Sequence, residues 1–225
     1  MLVLHYTGMQ SAAAALERLC DSSAKVSAHY LIDEEGGVYR LVREHLRAWH
    51  AGVASWAGTT DVNARSIGIE LVNPGHEWGY RPFPDAQMTA LIDLAGTAVK
   101  QHRIPAHRVL AHSDVAPQRR QDPGELFDWD RLAERGIGMV ADSSAPQGTV
   151  ASLQNGDEGA DVRVLQRKLA AFGYGVRTEA VYDNLTEGVV RAFQRHHRQA
   201  AVTGIADRET VLALDNLLDQ IAGLA

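Results

Sequence analysis

Residues 2–6 read LVLHY, an apolar run that is interrupted by one histidine and ends in a tyrosine. Short, almost continuously apolar runs are typical of strands that are buried on both faces of a sheet. Residues 66–72, SIGIELV, form a second run of this kind, and residues 109–112, VLAH, resemble a third. Two further runs, His29–Ile32 and Val38–Val42, are separated by DEEGG and predict a hairpin. The sequence therefore predicts a sheet with both faces covered.

Amphipathic segments between these runs predict the helices that cover the sheet. Residues 12–20 and 129–135 predict short helices. Residues 85–102 predict a long one, because their apolar residues recur at helical spacing and form one stripe: Met88, Leu91, Ile92, Ala95 and Val99. Strands that are mixed with helices in this way indicate an α/β fold.

A polar segment divides the chain into two parts. Residues 141–157, ADSSAPQGTVASLQNGD, are rich in Ser, Ala, Gly and Pro and predict a linker. We therefore expect a first domain over residues 1–140 and a second over residues 158–225. In the second, Thr186 and Asp207 are candidate N-caps or near-caps. Apolar spacing there predicts a small independent module of three helices, over residues 160–172, 186–197 and 207–224.

The composition excludes several classes of protein. Acidic residues outnumber basic ones, 28 to 22, so the basic face that binds nucleic acid is not expected. Cys20 is the only cysteine, which excludes an intrachain disulfide and a cysteine-rich zinc site. No stretch approaches the about 20 apolar residues of a transmembrane helix. No signal peptide is visible, which favours the cytoplasm; a truncated N-terminus would instead allow the periplasm. The oligomeric state is left open.

Residues 112–122, HSDVAPQRRQD, place a histidine and an aspartate on the two sides of a proline-containing loop. Asp122 precedes a proline, which favours an extended backbone and projects the side chain. His5, in an otherwise apolar strand, is a natural third ligand, and three N and O ligands are typical of catalytic zinc. A lone histidine in such a strand is more often structural, so spacing alone leaves both interpretations open. Asp114 is an alternative carboxylate ligand.

Five segments of the first part resemble, in the same order, the type-2 N-acetylmuramoyl-L-alanine amidases of the AmpD and AmiD group. They are LVLHYTG (2–8), VSAHYLID (26–33), AWHAG (48–52), SIGIELVN (66–73) and HSDVAPQRRQDPG (112–124). The resemblance implies a mixed sheet flanked by helices and one zinc ion bound by His5, His112 and Asp122. It also implies hydrolysis of the amide between N-acetylmuramic acid, or its 1,6-anhydro form, and the L-alanine of the peptidoglycan stem.

Two residues of these segments are candidate catalytic groups. Glu70 matches the general base of the family, and burial in the run IGIEL would raise the pKa of its carboxyl toward a catalytic range. Arg120 stands where the family usually has lysine. Because arginine stays protonated, it can stabilise an oxyanion but cannot transfer a proton. Removing Arg120 is therefore expected to lower turnover without shifting the pH profile. Arg119 is expected to be a solvated surface charge.

Five more residues are candidate substrate contacts. Trp49 and His50 of AWHAG are candidates to line a groove for sugar and peptide, although Trp49 could equally be core. Asn63 and Arg65, just before the strand of Glu70, are candidates to contact the stem peptide. His29 is a candidate near the centre of the sheet, where a structural role is the alternative. The remaining histidines of the first part are expected at the surface: His45, His76, His102 and His107.

The second part resembles the type-1 peptidoglycan-binding domain, a three-helix module. The matching residues are Gly159, Val162, Leu165, Gln166, Leu169, Gly173, Tyr174, Thr186, Val190, Phe193, Gln194, Thr203, Gly204, Asp207 and Thr210. It departs at residues 182–186, where the usual Asp-Gly turn is missing. The resemblance implies peptidoglycan or muropeptide fragments as partners. A module that has lost its ligand, a protein that recognises muropeptides without cutting them, and a choice between soluble and polymeric substrates remain open.

Overall fold

The computed structural model describes residues 1–142 and 151–224. The first part contains a five-stranded sheet in the order β3-β2-β4-β1-β5. Its strands are β1 (Leu2–Tyr6), β2 (Tyr30–Ile32), β3 (Val38–Arg40), β4 (Ile67–Leu71) and β5 (Val109–Ala111). β1 runs parallel to β4 and β5, β2 runs parallel to β4, and β3 is antiparallel to β2. The expected mixed sheet with flanking helices is confirmed.

The described residues form eight α-helices. They are α1 (Ala12–Cys20), α2 (Gly75–Trp78), α3 (Asp85–His102), α4 (His112–Val115), α5 (Trp129–Ala133), α6 (Ala160–Phe172), α7 (Asn184–His197) and α8 (Arg208–Gly223). The sequence did not predict α2 and α4, because one helical turn is too short to show a periodic pattern. Asp207 caps α8 as expected. Asp183 caps α7 by accepting from the backbone N–H of Thr186, so Thr186 lies inside that helix.

The two faces of the sheet are covered by different parts of the chain. Leu2 and Leu4 of β1 point to the face that packs on α3. Val3 points to the opposite face, as alternation along a strand requires. That opposite face is covered by α1 near β2 and by the three C-terminal helices near β1 and β5. The C-terminal helices therefore complete the covering of the sheet.

The C-terminal helices, expected to form an independent module, share one apolar core with the first part. Trp56 is 1% exposed and lies edge-on to Tyr174, with ring centroids 4.9 Å apart. The backbone N–H of Ala57 donates to the carbonyl of Gly173 at 2.7 Å. A Cβ on Gly173 would lie 2.5 Å from the Trp56 ring, so glycine is needed at this close approach. The two parts form one packed body.

Part of the expected linker, residues 141–157, is bonded to the C-terminal part. Residues 143–150 lie outside the described residues. Leu153 pairs with Ala206 through two backbone hydrogen bonds, and the N–H of Gly156 donates to the carbonyl of Tyr182. Residues 151–157 are therefore part of the C-terminal structure that contains α6, α7 and α8. None of the helices in the described ranges is long and apolar enough to cross a membrane.

Candidate active site

The register of the parallel strands brings the predicted residues to one edge of the sheet. His5 of β1 lies directly beside Glu70 of β4. Leu4 pairs with Ala111 of β5, so His112, the next residue, lies at the level of His5. The carboxyl ends of neighbouring parallel strands commonly form the ligand site of an α/β sheet. This edge therefore gathers residues that are far apart in sequence.

Three side-chain atoms converge at this edge. The Nδ1 atoms of His5 and His112 are 2.9 Å apart. Asp122 Oδ2 lies 3.1 Å from His5 Nδ1 and 2.9 Å from His112 Nδ1. All three residues are at most 5% exposed. The structure thus places the two histidines and the aspartate together as a candidate metal site.

Hydrogen bonds on the far side of each imidazole determine which nitrogen carries the proton. The Ser66 hydroxyl donates to the carbonyl of Val62, so its oxygen accepts the Nε2–H of His50. His50 Nδ1 then accepts the Nε2–H of His5 at 3.0 Å. This relay leaves His5 Nδ1 as a lone pair that points at the cluster.

The same reasoning applies to the second histidine. His112 Nε2 donates to the carbonyl oxygen of Ala51 at 3.1 Å, and a carbonyl can only accept. His112 Nδ1 therefore also presents a lone pair. Two lone pairs and a carboxylate oxygen that face each other at about 3 Å need a cation between them. The donor set thus fits a metal ion.

The charge states agree with this assignment. Burial, followed by the nearby His112, lowers the pKa of His5 to about 4, so His5 is neutral at neutral pH. Burial opposes the ionisation of Asp122. Positive charge and N–H donors on His112 and His5 outweigh that effect and hold the pKa of Asp122 well below its usual range. Where both Nδ1 atoms carry lone pairs, a bound cation would supply that positive charge instead. The neutral imidazole of His5 and an ionised carboxylate are forms that bind a metal.

Glu70 lies beside the cluster with a free carboxylate oxygen. It is 8% exposed, and its Oε2 atom has no hydrogen-bond partner among the described residues. Burial, and then the negative charge of Asp122, raise the pKa of Glu70 well above its usual value, while Arg120 acts in the opposite direction. A carboxyl group that is tuned in this way is suited to accept and return a proton.

Glu70, His112 and Asp122 line an open cavity of about 460 Å³, and His5 contacts His112 and Asp122. Tyr6 and His76 also line the cavity, and the Tyr6 hydroxyl lies 2.8 Å from His76 Nδ1. His76 is exposed, as expected, but its lining of a cavity was not predicted from the sequence, and Tyr6 was not a candidate. Tyr6 is the last residue of β1, and His76 follows the carboxyl end of β4. That position was the signal that could have identified them.

The structure gives the candidate substrate contacts different surroundings. His50 lines the cavity and supports His5. Trp49 is 49% exposed, which excludes the core alternative, but it is not among the residues that line the cavity. The other three candidates lie away from it: His29, Asn63 and Arg65.

Each of these three has another role or position. His29 is fully buried, with Nδ1 accepting from the N–H of Gly68 and Nε2 bonded to the carbonyl of Leu46. Asn63 Oδ1 accepts from the backbone N–H groups of residues 50 and 51, so it shapes the loop behind the site. Arg65 precedes the amino end of β4, at the opposite edge of the sheet. None of the three side chains lines this cavity, and a contact with substrate stays a prediction for each of them.

Two residues near the ligands, one in α4 and one in the loop after it, make contacts that the sequence did not predict. Arg119 is exposed, as expected of a surface charge, but it also donates to the carbonyls of Ala51 and Val53. It therefore shares the Ala51 carbonyl with His112. Asp114, the alternative ligand, is 1% exposed and points away from the cluster, where its carboxylate accepts three hydrogen bonds. The arrangement leaves Asp122 as the carboxylate of the site.

Two buried histidines and an aspartate that converge beside a cavity, with a further carboxylate next to them, are typical of hydrolases that use a metal ion. Residues 1–125 match the family model Amidase_2, N-acetylmuramoyl-L-alanine amidase, and residues 158–214 match PG_binding_1, a putative peptidoglycan-binding domain. The chain belongs to the N-acetylmuramoyl-L-alanine amidase family and is an amidase of that class.

Known relatives extend the match over both parts of the chain. N-acetylmuramoyl-L-alanine amidase AmiD of Escherichia coli (strain K12) is 36% identical over 232 residues, covering 98% of this chain and 82% of that protein. The 1,6-anhydro-N-acetylmuramyl-L-alanine amidase AmpD of Haemophilus influenzae is 40% identical over 108 residues, 48% of this chain and 56% of that one. A solved structure of E. coli AmiD with the substrate anhydro-N-acetylmuramic acid-L-Ala-D-γ-Glu-L-Lys has a TM-score of 0.85 at 35% identity, covering 98% of this chain and 88% of that one.

Proposed function

We propose that the chain is a zinc-dependent amidase that cleaves the bond between N-acetylmuramic acid, or its 1,6-anhydro form, and the L-alanine of a peptidoglycan stem peptide. The observation that supports zinc most directly is the convergence of three lone-pair donors: Nδ1 of His5, Nδ1 of His112 and Oδ2 of Asp122. When bound, zinc would act as a Lewis acid that polarises the amide carbonyl, and it would lower the pKa of water so that deprotonation is possible near neutral pH.

The residues of the chain account for the movement of the proton. Glu70 lines the same cavity, and its Oε2 has no hydrogen-bond partner in the described ranges, so it can take the proton of the attacking water. The raised pKa of Glu70 favours keeping that proton until the amide nitrogen of L-alanine departs, to which Glu70 then returns it. The positive charge of Arg120, at the cavity wall, stabilises the negative charge that develops on the carbonyl oxygen.

The substrate class follows from similarity to the AmiD complex. The substrate named in that structure carries an anhydrosugar, L-alanine and a short stem. An open cavity of about 460 Å³ is within the size range of sites for ligands of this kind. We infer that the chain takes peptidoglycan fragments with the same scissile bond. Comparing turnover of a soluble anhydromuropeptide with turnover of intact sacculi decides between the soluble and the polymeric form.

The zinc proposal predicts one zinc ion per chain in the purified protein, measured by elemental analysis. A chelator is expected to abolish release of the stem peptide, and added zinc to restore it. His112→Ala is expected to lose both zinc and activity, because two remaining ligands bind zinc poorly. His45→Ala removes an exposed histidine and is expected to change neither. Full activity in protein that is free of metal would contradict the proposal.

The structure changes the expected effect of replacing Arg120. Because the charge of Arg120 lowers the pKa of Glu70, Arg120→Gln is expected to raise that pKa. Glu70 must be ionised to accept a proton, so the acidic limb of the kcat/KM profile is expected to move to higher pH. The maximal rate is expected to fall by up to about 100-fold, the lower end of the range for a lost oxyanion-stabilising group.

Arg120→Lys is the matched control, because it keeps the positive charge. Its acidic limb is expected to stay with that of the wild-type protein. An unshifted limb in Arg120→Gln would restore the earlier expectation that this side chain acts on the oxyanion alone. The profile is best measured at low ionic strength, because the Arg120 side chain is exposed and salt screens its charge.

A further inference from the structure

Asp114 connects the C-terminal helices to the metal site. Its Oδ1 accepts from the Tyr174 hydroxyl at 2.7 Å, and its Oδ2 lies 2.7 Å from His196 Nδ1. Both partners come from the C-terminal part, and all three side chains are at most 3% exposed. The same Oδ2 atom accepts from the backbone N–H of Ala111 at 2.8 Å. A buried carboxylate that is saturated by donors in this way is fixed in position.

The turn that Asp114 stabilises contains one proposed metal ligand, His112, and forms a hydrogen bond to the backbone of another, Asp122. Ala111 ends β5, and His112 begins α4 as the next residue. The N–H of Ser113 donates to the carbonyl of Asp122 at 3.0 Å. One helical turn therefore sets the position of His112 through the chain and of Asp122 through this hydrogen bond. A turn of four residues has little stability of its own, so it depends on its partners.

Tyr174 and His196 are themselves held rigidly. Burial, followed by the negative charge of Asp114, raises the pKa of Tyr174 well above its usual value, so the hydroxyl remains a donor. The His196 ring lies between two others, 3.6 Å from the centroid of Trp129 and 3.8 Å from that of His197. Both donors thus approach Asp114 from fixed positions in the second part.

We propose that Tyr174 and His196 are positioning residues of the amidase site: they hold the Asp114 carboxylate, which fixes the turn that carries His112 and binds Asp122. This inference rests on the proposed zinc site. It assigns to the C-terminal part a role in maintaining the metal ligands, separate from any binding of the cell wall.

The test uses Tyr174→Phe and His196→Phe in the full chain, singly and together. Each keeps an aromatic ring and removes one donor to Asp114. In protein that is free of metal, amide hydrogen exchange at Ala111 and Ser113 is expected to rise about 3- to 10-fold for each donor removed. The dissociation constant for zinc, measured by competition with a chelator, is expected to rise by about 10-fold or more in the double variant. Turnover should fall while KM stays unchanged.

Two controls separate positioning from general stability. Tyr182→Phe removes another buried hydroxyl of the second part, which donates to the carbonyl of Gly204 at 2.7 Å and has no link to α4. In Tyr182→Phe, amide hydrogen exchange at Ala111 and the dissociation constant for zinc are expected to stay within about 2-fold of the wild-type values. His196→Asn places an amide N–H near the position of Nδ1 and is expected to restore zinc binding in part.

The proposal is overturned if the double variant changes exchange at Ala111 and Ser113 no more than Tyr182→Phe does. If the wild-type protein binds zinc, an unchanged dissociation constant for zinc in the double variant would also overturn the proposal. A wild-type protein that binds no zinc would instead refute the proposed cofactor. In that case, exchange at the two amides still shows whether Tyr174 and His196 hold the turn.

Discussion

Glu70→Gln is expected to lower kcat by about 10²- to 10⁴-fold, the usual contribution of a general acid and base. The amide has nearly the shape of the carboxylate, so zinc content and KM are expected to stay close to their wild-type values. The decrease in kcat then reports the loss of proton transfer alone, because Gln cannot take a proton from water. Release of the stem peptide and zinc content, measured on the same preparation, test this expectation.

The same substitution is expected to stabilise the protein in the absence of zinc. The pKa of Glu70 is raised in the folded state, so its contribution to stability is full below the pKa of a free glutamate. That contribution is lost as pH rises through the pKa of the folded state. Gln has no charge to bury, so the advantage of Glu70→Gln in free energy of unfolding should grow with pH. Denaturant unfolding at several pH values in the presence of a chelator measures it.

Glu134→Gln is the matched control, since Glu134 is exposed and outside the site. It is expected to change neither turnover nor the pH dependence of unfolding. If Glu70→Gln kept more than about a tenth of the wild-type kcat, Glu70 would not be the base. Another group in the cavity would then have to accept the proton.

The strands of the sheet could be predicted from the sequence. Apolar runs revealed β1 and β4 and placed His5 and Glu70 within them. Periodicity also gave the bounds of α3, because 18 residues show the pattern over several turns. The turn α4 could not be predicted in this way, because four residues contain barely one period.

The surroundings of the site depend on contacts that spacing does not reveal. His50 supports His5 only because Ser66, which lies 16 residues further along the chain, orders its ring. Arg119 and Arg120 are neighbours, yet Arg119 reaches the carbonyls of Ala51 and Val53 while Arg120 lines the cavity. The polar linker predicted a separate C-terminal module, because composition does not reveal which surfaces pack against each other. The shared core became visible only in three dimensions.

Trp56→Ala is expected to cost about 3–5 kcal/mol of the free energy of unfolding, as for other large aromatic residues that are removed from a core. Trp56 belongs to the first part, but its ring packs edge-on to Phe172 and Tyr174 of the second. Its removal leaves a cavity between the two parts, and it also removes the ring that supports Tyr174. Denaturant unfolding that is followed by circular dichroism and by release of the stem peptide measures both consequences.

Trp49→Ala is the control, because it removes the same side chain from a position that is 49% exposed. The free energy of unfolding of Trp49→Ala is expected to stay within about 0.5 kcal/mol of the wild-type value. The wild-type protein is expected to unfold in one transition, because a shared core cannot be lost on one side only. Two separate transitions, with Trp56→Ala shifting only one of them, would show that the parts fold independently. A single transition that moves as a whole makes the C-terminal helices part of the amidase fold.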